Sequence, residues 1–203
     1  TDLGTLTIDI PQDTDPLDAD ELIIGDLPQG SGLVTVVSLN SELNTDELLV
    51  IARQGQGFLE VLAGAQVTSN VDETLPDTDM DMIIGELEGS QGFVIVDGFG
   101  SRLEHTNFSV GEQGHGRLEV LDFARIETLN DAFIGRTRLS TSVVGGVGTV
   151  FVDGLGTRWN IGDGVNPGDG DLHVGNEGRG ILEVRNEAWV RAVNDEIVGV
   201  VVE

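Results

Sequence analysis

Residues 148–159 read G-T-V-F-V-D-G-L-G-T-R-W, and residues 178–184 read G-R-G-I-L-E-V. Val150 and Val152 flank Phe151 in the first; Leu182 and Val184 flank Glu183 in the second. Apolar positions two apart lie on one side of an extended chain, so each stretch predicts a short strand with one buried face. Helical spacing is absent. Glycine at this density would cost a helix about 1 kcal/mol per residue.

Both stretches recur. G-x-G-x-L-E-V stands at 55–61, 114–120 and 178–184. G-x-V-x-V-D-G-x-G-[ST]-R-[LW] stands at 92–103 and 148–159, with a worn copy, G-L-V-T-V-V-S-L-N-S-E-L, at 32–43. The two sets share one plan: Gly, apolar-x-apolar, a turn, a further apolar position, a loop, then apolar-x-apolar-Gly. The leading Gly recurs at 4, 32, 57, 92, 116, 148 and 180, at intervals of 24 to 35 residues. Repeats that fill the chain from residue 1 to 203 leave no room for a linker and predict one domain.

Three short strands per unit of this length are what one turn of a solenoid requires. The expected fold is all-β: a single-stranded parallel β-solenoid, or β-helix, of about seven coils. Equivalent apolar residues would stack about 4.8 Å apart, giving a rod of roughly 34 Å. Right-handed winding is expected from crossover chirality. A β-sandwich also uses short strands and glycine turns, but it does not need one side-chain type at one register in every unit. Acidic stretches at 10–21, 71–81 and 161–171 are read as insertions between the second and third strands, forming a fringe along one edge.

Composition narrows the function. The chain has 36 Asp and Glu against 10 basic residues, all Arg, for a net charge of −26. Nucleic-acid binding is excluded, because phosphate contacts need clustered cations. No apolar run has the roughly 18 residues of a membrane span. With no Cys, disulfides and thiolate metal sites are excluded. A hydrophobic content of 39% in a regular pattern argues against disorder. A first residue of Thr1 suggests a processed chain or a fragment.

The pattern resembles the repeat of bacterial autotransporter passengers and PEP-CTERM-associated surface proteins. The resemblance is carried best at 148–184 by Asp153, Gly154, Gly156, Thr157 and Trp159, followed by Leu172-x-Val174-Gly175. In the worn copy Ser38 and Asn40 replace both glycines. The resemblance implies an extracellular, secreted or surface-displayed scaffold, and no catalytic activity.

Site chemistry is sparse. His105, His115 and His173 fall in three different registers, His105 being read in a turn, so they form no shared site. Acidic long loops would repel an anionic polysaccharide, so the chain is read as a non-enzyme. Calcium is the one cofactor suggested. Its candidate ligands are Asp77, Asp79 and Asp81, which alternate, and Asp163, Asp169 and Asp171 in a Gly-rich loop. Neither loop follows the EF-hand pattern, and the competing reading is a solvated acidic edge.

The ends carry the functional expectation. Leu6 and Ile8 alternate near the start, and Val198, Val200, Val201 and Val202 crowd the finish, with no polar cap. Copies are therefore expected to stack head to tail into an extracellular fibre or surface layer, with 1–10 able to add as a strand. Phe93, Ile95 and Phe151 are read as an outward lateral contact. The alternative is a stalk or adhesive segment of a surface adhesin, whose partner is a cell-surface anchor or a glycan.

Overall fold

The computed structural model describes residues 3–9, 16–70, 80–137, 145–162 and 170–193, and the backbone of 197–198. Among these, the chain is all-β with no helix. In chain order the strands are β1 (Leu3–Ile8), β2 (Leu17–Ile24), β3 (Ser31–Val37), β4 (Glu42–Ile51), β5 (Gln56–Leu62), β6 (Gln66–Ser69) and β7 (Met82–Ile84). They continue as β8 (Gln91–Asp97), β9 (Arg102–His105), β10 (Phe108–Val110), β11 (His115–Leu121), β12 (Arg125–Thr128) and β13 (Ala132–Ile134). The last are β14 (Val147–Asp153), β15 (Arg158–Ile161), β16 (Leu172–Val174), β17 (Arg179–Arg185), β18 (Trp189–Ala192) and β19 (Ile197–Val198).

Pairing between these strands is parallel throughout. One seven-stranded sheet runs β1-β3-β5-β8-β11-β14-β17. Gly4, Gly32, Gly57, Gly92, Gly116, Gly148 and Gly180 form one row across it. Two residues on, Leu6, Val34, Leu59, Val94, Leu118, Val150 and Leu182 form a second row. Two further on, Ile8, Val36, Val61, Val96, Val120, Val152 and Val184 form a third. Both apolar rows face the core and are buried except at the sheet edges. A one-residue slip would turn every one of these side chains to solvent, so the register is strongly specified.

A twelve-stranded sheet closes the other sides, ordered β18-β15-β12-β9-β6-β4-β7-β10-β13-β16-β19 with β2 on β4. β4 joins two ladders. Its Glu42–Thr45 pair with Gln66–Ser69 of β6, and its Leu49–Ile51 pair with Met82–Ile84 of β7. The chain thus uses one long strand here where later units use two. β2 lies along both halves of β4. Residues 17–21 are therefore strand, which corrects the expectation that 10–21 is an insertion between second and third strands. The other two acidic stretches do fall between such strands, β6 and β7, and β15 and β16.

The two sequence repeats correspond to two corners between a first-sheet strand and the next. In one corner, left-handed residues flank an apolar tip: Ser38 and Asn40 around Leu39, Gly98 and Gly100 around Phe99, Gly154 and Gly156 around Leu155. In the other, two left-handed residues follow one another: Ala63-Gly64, Asp122-Phe123 and Asn186-Glu187. The second is the geometry of a type I′ turn, closed for example by Ala124 N donating to Leu121 O at 3.0 Å. Ser38 and Asn40 adopt φ of 85° and 73°, so the worn copy keeps the corner without its glycines.

Left-handed residues stand where third strands hand over to the next unit, glycine at 25, 85, 111, 135 and 175 and Ala52, with φ 68°, in the unit of β4. Gly111 has φ 74°, and a Cβ on it would drive into the Val147 carbonyl of the neighbouring unit. Backbone meets backbone there, so no side chain can move aside.

Candidate functional site

The edges come first. At one edge of the seven-stranded sheet Leu6, in a core-facing row, is 41% exposed; at the other, Val184 is 42% exposed. Ile8 is buried. Val198 lies in β19, its backbone paired in register with His173. Val200, Val201 and Val202 lie outside the described residues.

The outer face of the same sheet holds Phe93, Ile95 and Phe151, but not as one stripe. Phe93 shares a row with Phe58 and Arg117, whereas Ile95, Glu119 and Phe151 form the next outward row. Arg117 spans the two, its guanidinium carbon 5.7 Å from the Phe93 ring centre and 4.7 Å from that of Phe151. It also pairs with Glu119. Phe58 meets Phe93 edge to face at 6.4 Å. A shallow depression of about 440 Å³ lies beside Phe58, Gln91, Phe93, His115 and Arg117. The expected apolar contact is thus an aromatic patch bridged by a cation.

Of the calcium candidates, Asp77, Asp79, Asp163 and Asp169 lie outside the described residues. Asp81 is buried just before β7. Its Oδ1 accepts from Asn70 Nδ2 at 2.6 Å and its Oδ2 from the Asn107 amide at 2.8 Å. Asp171 occupies the equivalent place before β16, where its amide donates to Asp131 Oδ1 at 2.9 Å. Both positions brace one unit against the next, through the carboxylate of Asp81 itself in the first case and through the carboxylate of Asp131, holding the Asp171 backbone amide, in the second. Among the described residues no group of three or more His, Asp or Glu is gathered to hold a metal.

The histidines are scattered, and one corrects the sequence reading. His105 ends β9 and is fully buried, not in a turn. Its Nε2 lies 2.7 Å from Thr128 Oγ1, and its ring centre lies 4.2 Å from that of Phe108. Burial lowers its pKa to about 3, so it stays neutral. His115 is exposed at the start of β11. His173 stacks on Phe133, 4.7 Å between ring centres.

Sequence reasoning passed over the corners. Leu39, Phe99, Phe123 and Leu155 stand 64%, 80%, 44% and 58% exposed in the turns between the two sheets. The signal was present as an apolar residue between turn formers, in G-F-G, D-F-A and G-L-G.

Among the described residues these features define an all-β repeat protein with parallel sheets, β1 and β17 as the edge strands of the seven-stranded sheet, and aromatic side chains on that sheet's outer face. Among the described residues no helix is long and apolar enough to cross a membrane. No protein-family model matches the chain, and neither the curated proteins nor the solved structures include a significant match.

Proposed function

We propose that the chain is one β-solenoid domain of about seven coils, beginning near residues 4, 32, 57, 92, 116, 148 and 180, that serves as a self-associating extracellular structural protein of bacteria. The single observation that carries this reading is the likeness of the two open edges. β1 and β17 present the same Gly, core-facing and core-facing rows in the same parallel sense, and Leu6 and Val184 are half exposed there. The edge of one copy thus fits the opposite edge of another as β14 fits β17. Such a head-to-tail contact propagates into a filament. The resemblance to autotransporter passengers and PEP-CTERM-associated surface proteins supports a secreted or cell-surface setting and a non-catalytic role. With −26 per copy, stacking depends on screening or on divalent ions such as calcium.

Negative-stain microscopy of the purified chain, at millimolar calcium and after chelation, tests this. Rods longer than the roughly 34 Å of one copy are expected, shortened by Leu6→Asp. Monodisperse single copies in both conditions would overturn it.

A second reading, an adhesive segment that takes a glycan, is favoured by the aromatic depression, since Phe58 and Phe93 offer faces for a sugar ring beside the polar Gln91 and Arg117. Glycan-array binding by single copies, lost on Phe93→Ala, would support it over the fibre reading.

A further inference from the structure

The corner that carries Phe99, Phe123 and Leu155 is flanked by two rows of opposite charge. On one side, at the ends of β8 and β14 and in the turn after β11, stand Asp97, Asp153 and Asp122. On the other, Arg102, Arg125 and Arg158 open β9, β12 and β15 and are register neighbours. Each of three successive units therefore presents one Asp, one large apolar tip and one Arg, in that order around the corner.

The arginines stack like charges on adjacent strands about 4.8 Å apart, a costly arrangement. On the acidic side Leu121 holds the register position between Asp97 and Asp153, and Asp122 stands one residue beyond it in the turn. Own-chain pairing relieves part of it: Arg102 reaches Glu104 at 2.7 Å, and Asp153 accepts from Asn186 at 2.7 Å. Burial and the nearby Asp122 raise the Asp97 pKa above its ordinary value of 3.8. Three of only ten basic residues in the chain lie in this single row. The apolar tips between the rows are exposed, Phe99 most of all. Exposed aromatics in a row, rimmed by charge, mark protein contacts.

We propose that this corner docks a second copy of the chain side by side, with the two stacking directions parallel. Symmetry chooses that orientation. A two-fold axis along the stacking direction sets ridge against ridge and lays the arginine row of each copy over the aspartate row of the other. Arg102 then faces Asp97, Arg125 faces Asp122 and Arg158 faces Asp153. A two-fold axis across the stack would set aspartate against aspartate and arginine against arginine. The contact is isologous, so it closes at two copies and adds width rather than length. It uses neither open edge, and so goes beyond the fibre reading without depending on it.

The chain has no Cys, so a single introduced thiol reports cleanly. Phe99→Cys, mildly oxidised at micromolar concentration, is expected to give a covalent dimer, because residue 99 lies against its own copy across the axis. Thr149→Cys, on the outer face of the seven-stranded sheet, is the control and stays monomeric. In sedimentation, Arg125→Glu alone and Asp122→Arg alone are each expected to weaken dimerisation at least tenfold. The two together in one chain restore it to within about threefold, since every copy then carries the swapped pair. Circular dichroism confirms that each variant is folded. No more dimer from Phe99→Cys than from Thr149→Cys would overturn the proposal, as would a double variant as weak as the singles. Filaments seen without the 99–99 cross-link sink the lateral contact and leave the fibre reading standing; a cross-linked pair that never elongates does the reverse.

Discussion

The indole nitrogen of Trp159 donates to Thr128 Oγ1 at 2.9 Å, across one strand step, and the same oxygen lies 2.7 Å from His105 Nε2 on the strand beyond. Three neighbouring strands of the core are thus tied by polar atoms of three residue types. Ser69 and Thr45 continue the row, with Thr45 Oγ1 donating to Ser69 Oγ at 2.9 Å. A buried polar row of this kind stabilises only while its members stay neutral and bonded.

Acid should therefore weaken the fold through His105. Its folded pKa is about 3, below the 6.5 of an unhindered imidazole. Between those values the unfolded chain binds a proton that the folded chain refuses, so stability falls as pH drops. The slope is about 1.4 kcal/mol per pH unit from 6.5 downward, levelling near 3. Urea midpoints measured from pH 7 to 4 should decline less steeply for His105→Gln than for the wild type. Equal slopes would remove His105 as the cause.

Core rows and edge rows should respond differently to truncation. Leu118 is fully buried in the middle of its row, so Leu118→Ala should cost about 2–5 kcal/mol. Leu6 occupies the same row at the edge and is 41% exposed. Leu6→Ala should cost an isolated copy under about 1.5 kcal/mol, less than full burial of a leucine is worth. Chemical unfolding of dilute samples measures both.

Two glycines with left-handed φ separate strain from collision. Gly89 has φ 86° and open space where a Cβ would stand; Gly111 has φ 74° and the Val147 carbonyl there. Gly89→Ala should lose only the left-handed penalty of about 1–2 kcal/mol. Gly111→Ala should be far worse and abolish cooperative unfolding, seen in thermal melts. Similar losses at both sites would refute the close approach.

Ala63 offers the converse. It is exposed and holds φ 56°, a conformation in which a Cβ costs energy. Ala63→Gly should raise the melting temperature, by roughly 1 kcal/mol of stability, because no methyl burial is forfeited. A lowered melting temperature would show that unfolded-state entropy outweighs the strain.

Much of the architecture was legible in residues such as Val94, Leu118, Val150 and Leu182, whose alternation and spacing set strand type and register together. Less legible was β4, where second and third strands merge into one although the interval from Gly32 to Gly57 is no shorter than that from Gly92 to Gly116, which keeps β9 and β10 apart. His105 misled for a local reason. Its neighbours Glu104, Thr106 and Asn107 read as a turn, yet β6 and β12 on either side draw it into a ladder and bury it.

The amino-acid pattern alone determined that this chain forms short strands with one apolar side, that glycine marks the handovers, and that equivalent rows repeat. Period two and left-handed turns are local properties of a few residues. Only the tertiary arrangement decided which charges share a row, where Arg117 lies between two phenylalanines, and that Phe99, Phe123 and Leu155 line one corner between aspartates and arginines. Those neighbours are 20 to 60 residues apart in the chain, and only the stacking of strands brings them together.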